Sequence, residues 1–537
     1  MNSNLAQDLT LEMTRHASVS NSDGERSFPQ KLHGMIAREP YFQTHSDHAR
    51  VEPILNDPFE RSNVLALVRG AGSRTIVLTG HYDVVSAANY GPLEPWAFEP
   101  EILREKLIAD LRENARSQSE LLALRDLESG EFMPGRGLLD MKSGLAAGLV
   151  ALYRFATLEE RVGNLIFLAV ADEEVQSHGA RGAISQLEAL TREFGLEIDC
   201  VINLDATGDT GDGSEGQAVY YGSVGKLLVS AYVAGIDTHA GYPLTGINPN
   251  FLLSEIVTRT ECNPALADHA HGESAPPPTS LKQGDLKTHY DVTTPARAWA
   301  CWNVLTHGKP AAQVLEEFRQ QTQAALDQSL ETLRGRARAW GAPSDSLAAA
   351  LEVQAFTLSF AELTVKAAER HPDFDARLEQ FTATLDPRLD APTIAARLTD
   401  FVWAQSELIG PAVVLGFGSL HYPAVLLEDE GLRSLIRQTL ETVQQDLNVS
   451  ICERQFFAGI SDMSWFGVAN THDLELVNAN TPAPQARIHN ATLNVPIINI
   501  GPWGRDYHQW LERANSKYTF EQLPEILWRV ATAILKS

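Results

Sequence analysis

Five side chains able to hold a metal ion stand in loops of this chain, four of them where strand-like apolar runs give way to turns. Residues 75–80 (TIVLTG) lead into His81, Tyr82 and Asp83, and residues 164–170 (NLIFLAV) into Ala171, Asp172, Glu173 and Glu174. Residues 200–204 (CVINL) lead into Asp205, and residues 495–500 (VPIINI) into GPWGRDYH, which ends at His508. A glycine-flanked loop, GRGLLDMKSG over 135–144, carries Asp140. Open α/β sheets bind ligands at the carboxyl edge of their strands. Carboxylates and imidazoles are hard and borderline ligands suited to divalent ions such as zinc. A single His or Asp at a strand end is ordinarily a satisfied polar group. Several in order, with the small residues that crowded turns need, read as a metal site. The other reading, a structural ion-pair cluster, needs Arg or Lys among the acids, and the nearest in sequence are Arg136, Lys142, Arg181 and Arg505.

The elements that position these residues follow from the apolar pattern. Residues 4–16 have the four-residue spacing of an amphipathic helix, and strands are expected at 64–68 and 75–79. Residues 101–128 are charged and helical in character. The small-residue stretch SGLAAGLVALYRFA after Asp140 is a helix able to pack closely on a sheet. Strand, helix and strand through residue 205 predict a largely parallel sheet covered on both faces. Past a glycine-rich hinge at 208–216, residues 218–235 read as paired strands, and 310–402 as mostly helical without a chemical motif. The expected domains are 1–215 (catalytic, first part), 216–425 (an inserted domain with the helical insertion 310–402) and 426–537 (catalytic, second part).

With 537 residues, more than one core is expected. The net charge of −26 argues against nucleic acid or an anionic membrane as partner. No apolar run is long enough to span a bilayer, and the N-terminus has no basic segment followed by an apolar one, so a cytoplasmic protein is expected. Cys200, Cys262, Cys301 and Cys452 show no pairing pattern and are expected to be buried, in a reducing compartment.

The motifs TGHYDVV, PWAFEP, GRGLLDMKSG, ADEEVQSHGA, THAGYPLTGIN, GISDMSWFG and GPWGRDYH, with the strand end at Asp205, resemble those of the dinuclear zinc exopeptidases and amidohydrolases. That group includes glutamate carboxypeptidase, acetylornithine deacetylase, succinyl-diaminopimelate desuccinylase and aminoacylase. Length, the helical insertion and YDVTTPARAW look most like its arginine-utilisation (Roc-type) branch. The resemblance implies a mixed, largely parallel α/β sheet flanked by helices, with an inserted α+β lid. It implies that His81 and Glu174 each bind one of two divalent ions, zinc or else cobalt or manganese, beside the bridging Asp140. Asp205 and His508 complete the ligand sets. It further implies that Asp83 orients His81, Glu173 is the general base, and His239 of the lid stabilises the oxyanion, with a homodimer formed through the lid.

One departure bears on substrate. Where carboxypeptidase-like members hold a substrate carboxylate with asparagine and arginine, this chain has Asp291 and, nearby, only Arg297. An aspartate there would favour a cationic or neutral group. The expected activity is hydrolysis of an N-acyl amino acid or short peptide. An exopeptidase and an inactive metal-bound scaffold are the alternatives. His178, His269, His271 and His289 are not expected to be ligands, and Asp462 is expected to shape the pocket.

Overall fold

The computed structural model describes residues 5–537 except 210, 212, 342–351, 387, 469–472 and 489–491. The chain divides into two compact units. The first comprises Met1–Ser223, Val425–Ala469 and Asn490–Ser537; the second comprises Val224–Ala424 and Asn470–His489.

The first unit is built on an eight-stranded sheet. Its first five strands are β1 (Ala49–Pro53), β2 (Ser62–Val68), β3 (Ala71–His81), β4 (Val162–Val170) and β5 (Glu197–Asn203). Across the sheet the order is β1, β2, β4, β3, β5, then Ile497–Ile500, Ala218–Tyr220 and Cys452–Arg454. The central four, from β4 to Ile497–Ile500, run parallel, with His81 opposite Val170 and Asn203 opposite both Thr79 and Asn499. Their carboxyl ends therefore share one edge. β2 and β4 are buried over nearly their whole length, the continuous apolar pattern of strands covered on both faces.

Helices Leu5–Thr14, Ser143–Ala156 and Leu523–Lys536 pack around this core, placing Met13, Leu149 and Val530 in it. Gly144 makes one close approach possible. A Cβ there would lie 2.2 Å from the carbonyl oxygen of Leu204. The Asp140 loop, which opens the helix Ser143–Ala156, is thus seated directly beside the strand end that carries Asp205.

The second unit has a five-stranded sheet in the order Thr279–Asp285, Arg297–Thr306, Gly225–Ala234, Ala412–Phe417, Phe356–Ser359. All pairs are antiparallel except the last. Helices Pro249–Thr260 and Ala311–Trp340 share one core with it, and Phe360–Arg370 and Ala391–Ser406 another.

Several expectations need correction. Residues 218–235 are not a pair: Ala218–Tyr220 joins the large sheet, whereas Gly225–Ala234 is central in the second unit's sheet. The first division accordingly falls after Ser223 rather than at 215. Residues 470–489 belong to the second unit, because Val477 enters its core and Asn480 takes the Phe417 and Ala361 amides at 2.8 and 3.0 Å. The stretch 310–402 contains the strand Phe356–Ser359, and its residues 342–351 and 387 lie outside those described. Of the cysteines, Cys200 and Cys301 are buried, but Cys262 is exposed and Cys452 half-buried, and none of the four is in a disulfide. Among the described residues no helix is long and apolar enough to cross a membrane.

Candidate metal centre

At the carboxyl edge of the central strands, Asp140 stands between two imidazoles. Its Oδ1 lies 3.1 Å from His81 Nε2 and its Oδ2 lies 3.0 Å from His508 Nε2. Each imidazole faces a further carboxylate: Asp205 Oδ1 is 3.9 Å from His81 Nε2, and Glu174 Oε1 is 3.0 Å from His508 Nε2. One ligand atom each from His81, Asp140 and Glu174 lies within 4.8 Å of the others. The five residues singled out as ligands thus converge in two overlapping sets that share Asp140.

His81 is oriented through its other ring nitrogen. Nδ1 is 2.9 Å from the main-chain carbonyl of Asp83, whereas the Asp83 carboxylate is 3.6 Å away. The orienting atom is therefore the backbone oxygen, a correction to the expected carboxylate contact. A carbonyl acceptor on Nδ1 leaves Nε2 as the ligand atom. The Asp83 carboxylate is engaged elsewhere. It accepts from the amides of Glu173 and Glu174 at 3.1 and 3.3 Å and from the Ser20 hydroxyl at 2.9 Å. Held from beneath, the turn directs Glu173 Oε2 to 3.9 Å from His81 Nε2 and Glu174 toward His508.

The His508 loop is fixed by residues that sequence reasoning did not single out for this. His508 has a positive φ of 63°, an uncommon backbone for a residue with a side chain. Its carbonyl accepts from Asn89 Nδ2 at 2.9 Å and Arg136 Nη2 at 3.2 Å. Arg136 also pairs with buried Glu512, whose Oε1 takes the Gly137 amide at 2.9 Å. One Arg–Glu pair therefore ties the Asp140 loop to the His508 loop. The only hint in sequence is Glu512, four residues after His508.

The electrostatics are those of a site short of cations. Burial opposes the charge on both imidazoles, but neighbouring carboxylates prevail. Asp140 and Glu174 hold His508 up to about 10, and Asp140 with Glu173 holds His81 well above its ordinary value. Asp140 is kept below the carboxylate range, because its bonds to His508 and His81 outweigh burial. Asp205, Asp462 and Glu173 are pushed up. Burial and then Asp140 raise Asp205 to about 7, and burial, with Asp83 and Asp205 adding to it, raises Asp462 to about 7. Burial, with Asp205 and Asp462 adding to it, lifts Glu173 well above its ordinary value. Such an excess of buried acid over base is what bound divalent ions relieve, and the donor set, imidazole with carboxylate, fits zinc. Buried Asp462 belongs to this acidic cluster, as a neighbour of Asp83, Asp205 and Glu173.

Other residues named from sequence lie in the second unit or at the rim. His239 is exposed, and its Nδ1 accepts the Gly241 amide at 3.0 Å, so the neutral ring carries its proton on Nε2. Its loop pairs with that of Asp291: His239 is bridged to Thr293, and the Ala240 amide donates to Val292 at 2.7 Å. The exposed Asp291 carboxylate pairs with Lys287 and takes the Thr293 amide at 2.9 Å. Its charge is matched, which removes the basis for its repelling a substrate carboxylate. Arg297 is directed to Asp400 at 3.8 Å and over the Trp403 ring, a packing position. His178 begins the helix His178–Phe194, and its Nδ1 is bonded to Asp172, not to the ligand cluster. His269, His271 and His289 are exposed.

Comparison with known proteins identifies the family. The model of the family described as Peptidase family M20/M25/M40 matches residues 118–501. The chain is 30% identical to the uncharacterised protein YqjN of Bacillus subtilis (strain 168), over 98% of this chain and 96% of that one. It is 29% identical to protein RocB of the same strain, over 98% and 94%. Its fold is similar to that of Bacillus subtilis YxeP, described as a dinuclear metal-binding peptidase from the M20 family. The TM-score there is 0.51 at 12% identity, covering 100% of this chain and 98% of that one. The chain belongs to peptidase family M20/M25/M40, and it is a hydrolase of amide bonds.

Proposed function

We propose that this member of the family holds two divalent ions, zinc by its donors or else cobalt or manganese, and hydrolyses an N-acyl amino acid or a short peptide. The observation that carries the reading is the shared position of Asp140, one carboxylate oxygen toward each imidazole. His81, Asp140 and Asp205 would hold one ion, and Asp140, Glu174 and His508 the other. Divalent ions bound there would supply Lewis acidity to the attacking water and the scissile carbonyl.

The remaining work falls to the chain's own groups. Glu173 is the base: its carboxylate takes a proton from water and delivers it to the leaving nitrogen, a role worth roughly 10²–10⁴ in rate. Burial and the neighbouring acids hold its pKa above the ordinary carboxylate value, which makes it a stronger base than an exposed glutamate. The Asp83 carboxylate holds the Glu173 and Glu174 amides, which keeps base and ligand in adjacent, separate roles. His239, with its proton on Nε2, is the lid donor for the oxyanion. A role in amino-acid catabolism, as in the arginine-utilisation branch, is supported by the likeness to RocB along nearly the whole chain.

The test is turnover of a panel of N-acyl amino acids and dipeptides by protein loaded with Zn²⁺, Co²⁺ or Mn²⁺. Preferential release of acyl groups supports a deacylase, and preferential cleavage of dipeptides an exopeptidase. Loading with two ions and no turnover of any member would leave a metal-bound scaffold.

A further inference from the structure

Behind the Glu173–Glu174 turn, away from the imidazoles, lies a buried arginine that the proposed reaction does not use. Arg61 precedes β2 and is 1% exposed. It faces three carboxylates that are themselves buried. Its Nε donates to Asp57 Oδ2 at 3.0 Å and its Nη2 to Asp57 Oδ1 at 2.5 Å. Its Nη1 donates to Asp172 Oδ1 at 2.5 Å, and to Glu25 Oε1 at 3.3 Å and Asn21 Oδ1 at 3.2 Å.

Asp172 is the residue immediately before Glu173, and it has an uncommon backbone, with φ of 67°. Every acceptor it has is in use. Oδ1 takes Arg61, and Oδ2 takes the His178 amide at 3.1 Å and the His178 ring Nδ1 at 2.5 Å. Its carbonyl takes the amides of Gln176 and Ser177 at 3.1 and 2.6 Å. A left-handed residue that is not glycine persists only where its surroundings over-determine it. The turn that carries the base and a ligand is thus gripped twice, by Asp83 on the metal side and by Asp172 on the far side.

We propose that Arg61 is a positioning residue for the centre: by anchoring Asp172 it fixes the turn on which Glu173 and Glu174 diverge. A guanidinium is needed because its planar fork serves Asp57 through two nitrogens while the third reaches Asp172; an ammonium cannot satisfy both directions at once. The inference rests on the reading of Glu173 as base and Glu174 as ligand.

Arg61→Lys tests it with three readouts. In the metal-free protein, amide hydrogen exchange over residues 171–178 should accelerate beyond any change in global stability. Chelator competition should show the ion of the Glu174–His508 set bound about 10–100-fold more weakly, the usual consequence of losing an outer support. With whichever substrate of the panel is turned over, kcat should fall with KM little changed. A merely structural arginine would lower Tm and leave exchange at 171–178, metal affinity and kcat of the folded protein as in wild type, which would overturn the proposal. If Arg61→Lys does not fold, Asp172→Asn, which keeps the shape of the side chain and weakens its bond to Arg61, is read by the same three measurements. Exchange is measured without metal, so the two readings fail separately. Wild-type exchange in the variant refutes the role of Arg61, whereas failure of the wild-type chain to take up ions refutes only the metal assignment.

Discussion

Loading the centre with zinc at pH 7 is expected to expel protons, and the number follows from the environment of its ligands. In the metal-free chain burial disfavours charge on His508, but its contacts with Asp140 and Glu174 hold it up to about 10. His81 is raised well above its ordinary value, Asp140 and Glu173 outweighing burial. Both rings therefore carry two protons at neutral pH, and each must lose the one on Nε2 to hold an ion. That makes about two protons per chain, with about half of one more from Asp205, which burial and Asp140 raise to about 7. Metal competes with protons bound at pH 7, so apparent affinity should rise with pH between about 6 and 8, by about one log unit per pH unit for each ion and about two for the product of the two binding constants. Calorimetric titration in buffers of different ionisation enthalpy measures the number directly, as the slope of observed heat against buffer heat. His508→Ala should lower it by about one. A wild-type release below about one proton, or the same release from His508→Ala, would refute the picture of two protonated imidazoles converted to ligands.

Further outcomes separate the roles assigned to individual residues. Glu173→Gln should retain two ions and lose roughly 10²–10⁴ in turnover, whereas Glu174→Gln should lose metal; metal analysis with kinetics on the active panel member distinguishes them, and reversed phenotypes would exchange the two roles. His239→Ala should lower turnover by roughly 10²–10³ with metal content unchanged, and unimpaired turnover would remove it from the reaction. Glu25 is pushed up to about 8, chiefly by burial and then by Asp83, from an ordinary 4.5. The folded chain thus holds a proton that the unfolded chain has lost between those values, so this carboxyl lowers stability as pH rises through that window. Glu25→Gln should gain stability over wild type by about 1.4 kcal/mol for each pH unit across it and then level off, and urea unfolding at pH 5, 6.5 and 8 would expose a flat difference.

The candidate ligands were legible in sequence because most are local to the element that places them. A parallel strand ends, the chain must turn, and whatever polar residue follows is delivered to the carboxyl edge; His81, Glu174 and Asp205 need nothing more distant than their own strand to reach it. The order of the large sheet was less legible. Ala218–Tyr220 is three residues long and joins the sheet only through partners more than two hundred residues later, so its apolar pattern reads equally well as half of a hairpin. The same applies to residues 470–489, whose place is decided by Val477 and Asn480 in a distant core. Asp291 shows a further limit: residue type conveyed its charge correctly, but the lysine four residues earlier that neutralises it becomes visible only once the loop is folded.

What the sequence did not display is the support behind the ligands, and the reason is physical. Arg61, Arg136 and Glu512 act across 111, 376 and 375 residues respectively, from Arg61 to Asp172, Arg136 to Glu512 and Glu512 to Gly137. No periodicity links such partners, and a buried arginine in sequence looks like any surface arginine. Yet these pairs occur where the backbone is least able to hold itself: Asp172 and His508 both have positive φ, and both lie beside a cluster of acids that repel one another. A turn of that kind needs hydrogen bonds from outside its own segment, and burial requires that the groups supplying them be paired in turn. Glu512 answers Arg136 on one side of the site, and Asp57 answers Arg61 on the other. The basic residues that the ion-pair reading demanded are therefore present, but one layer behind the ligands. There they fix the backbone and leave the carboxylates of Asp140, Glu174 and Asp205 available to cations from solution.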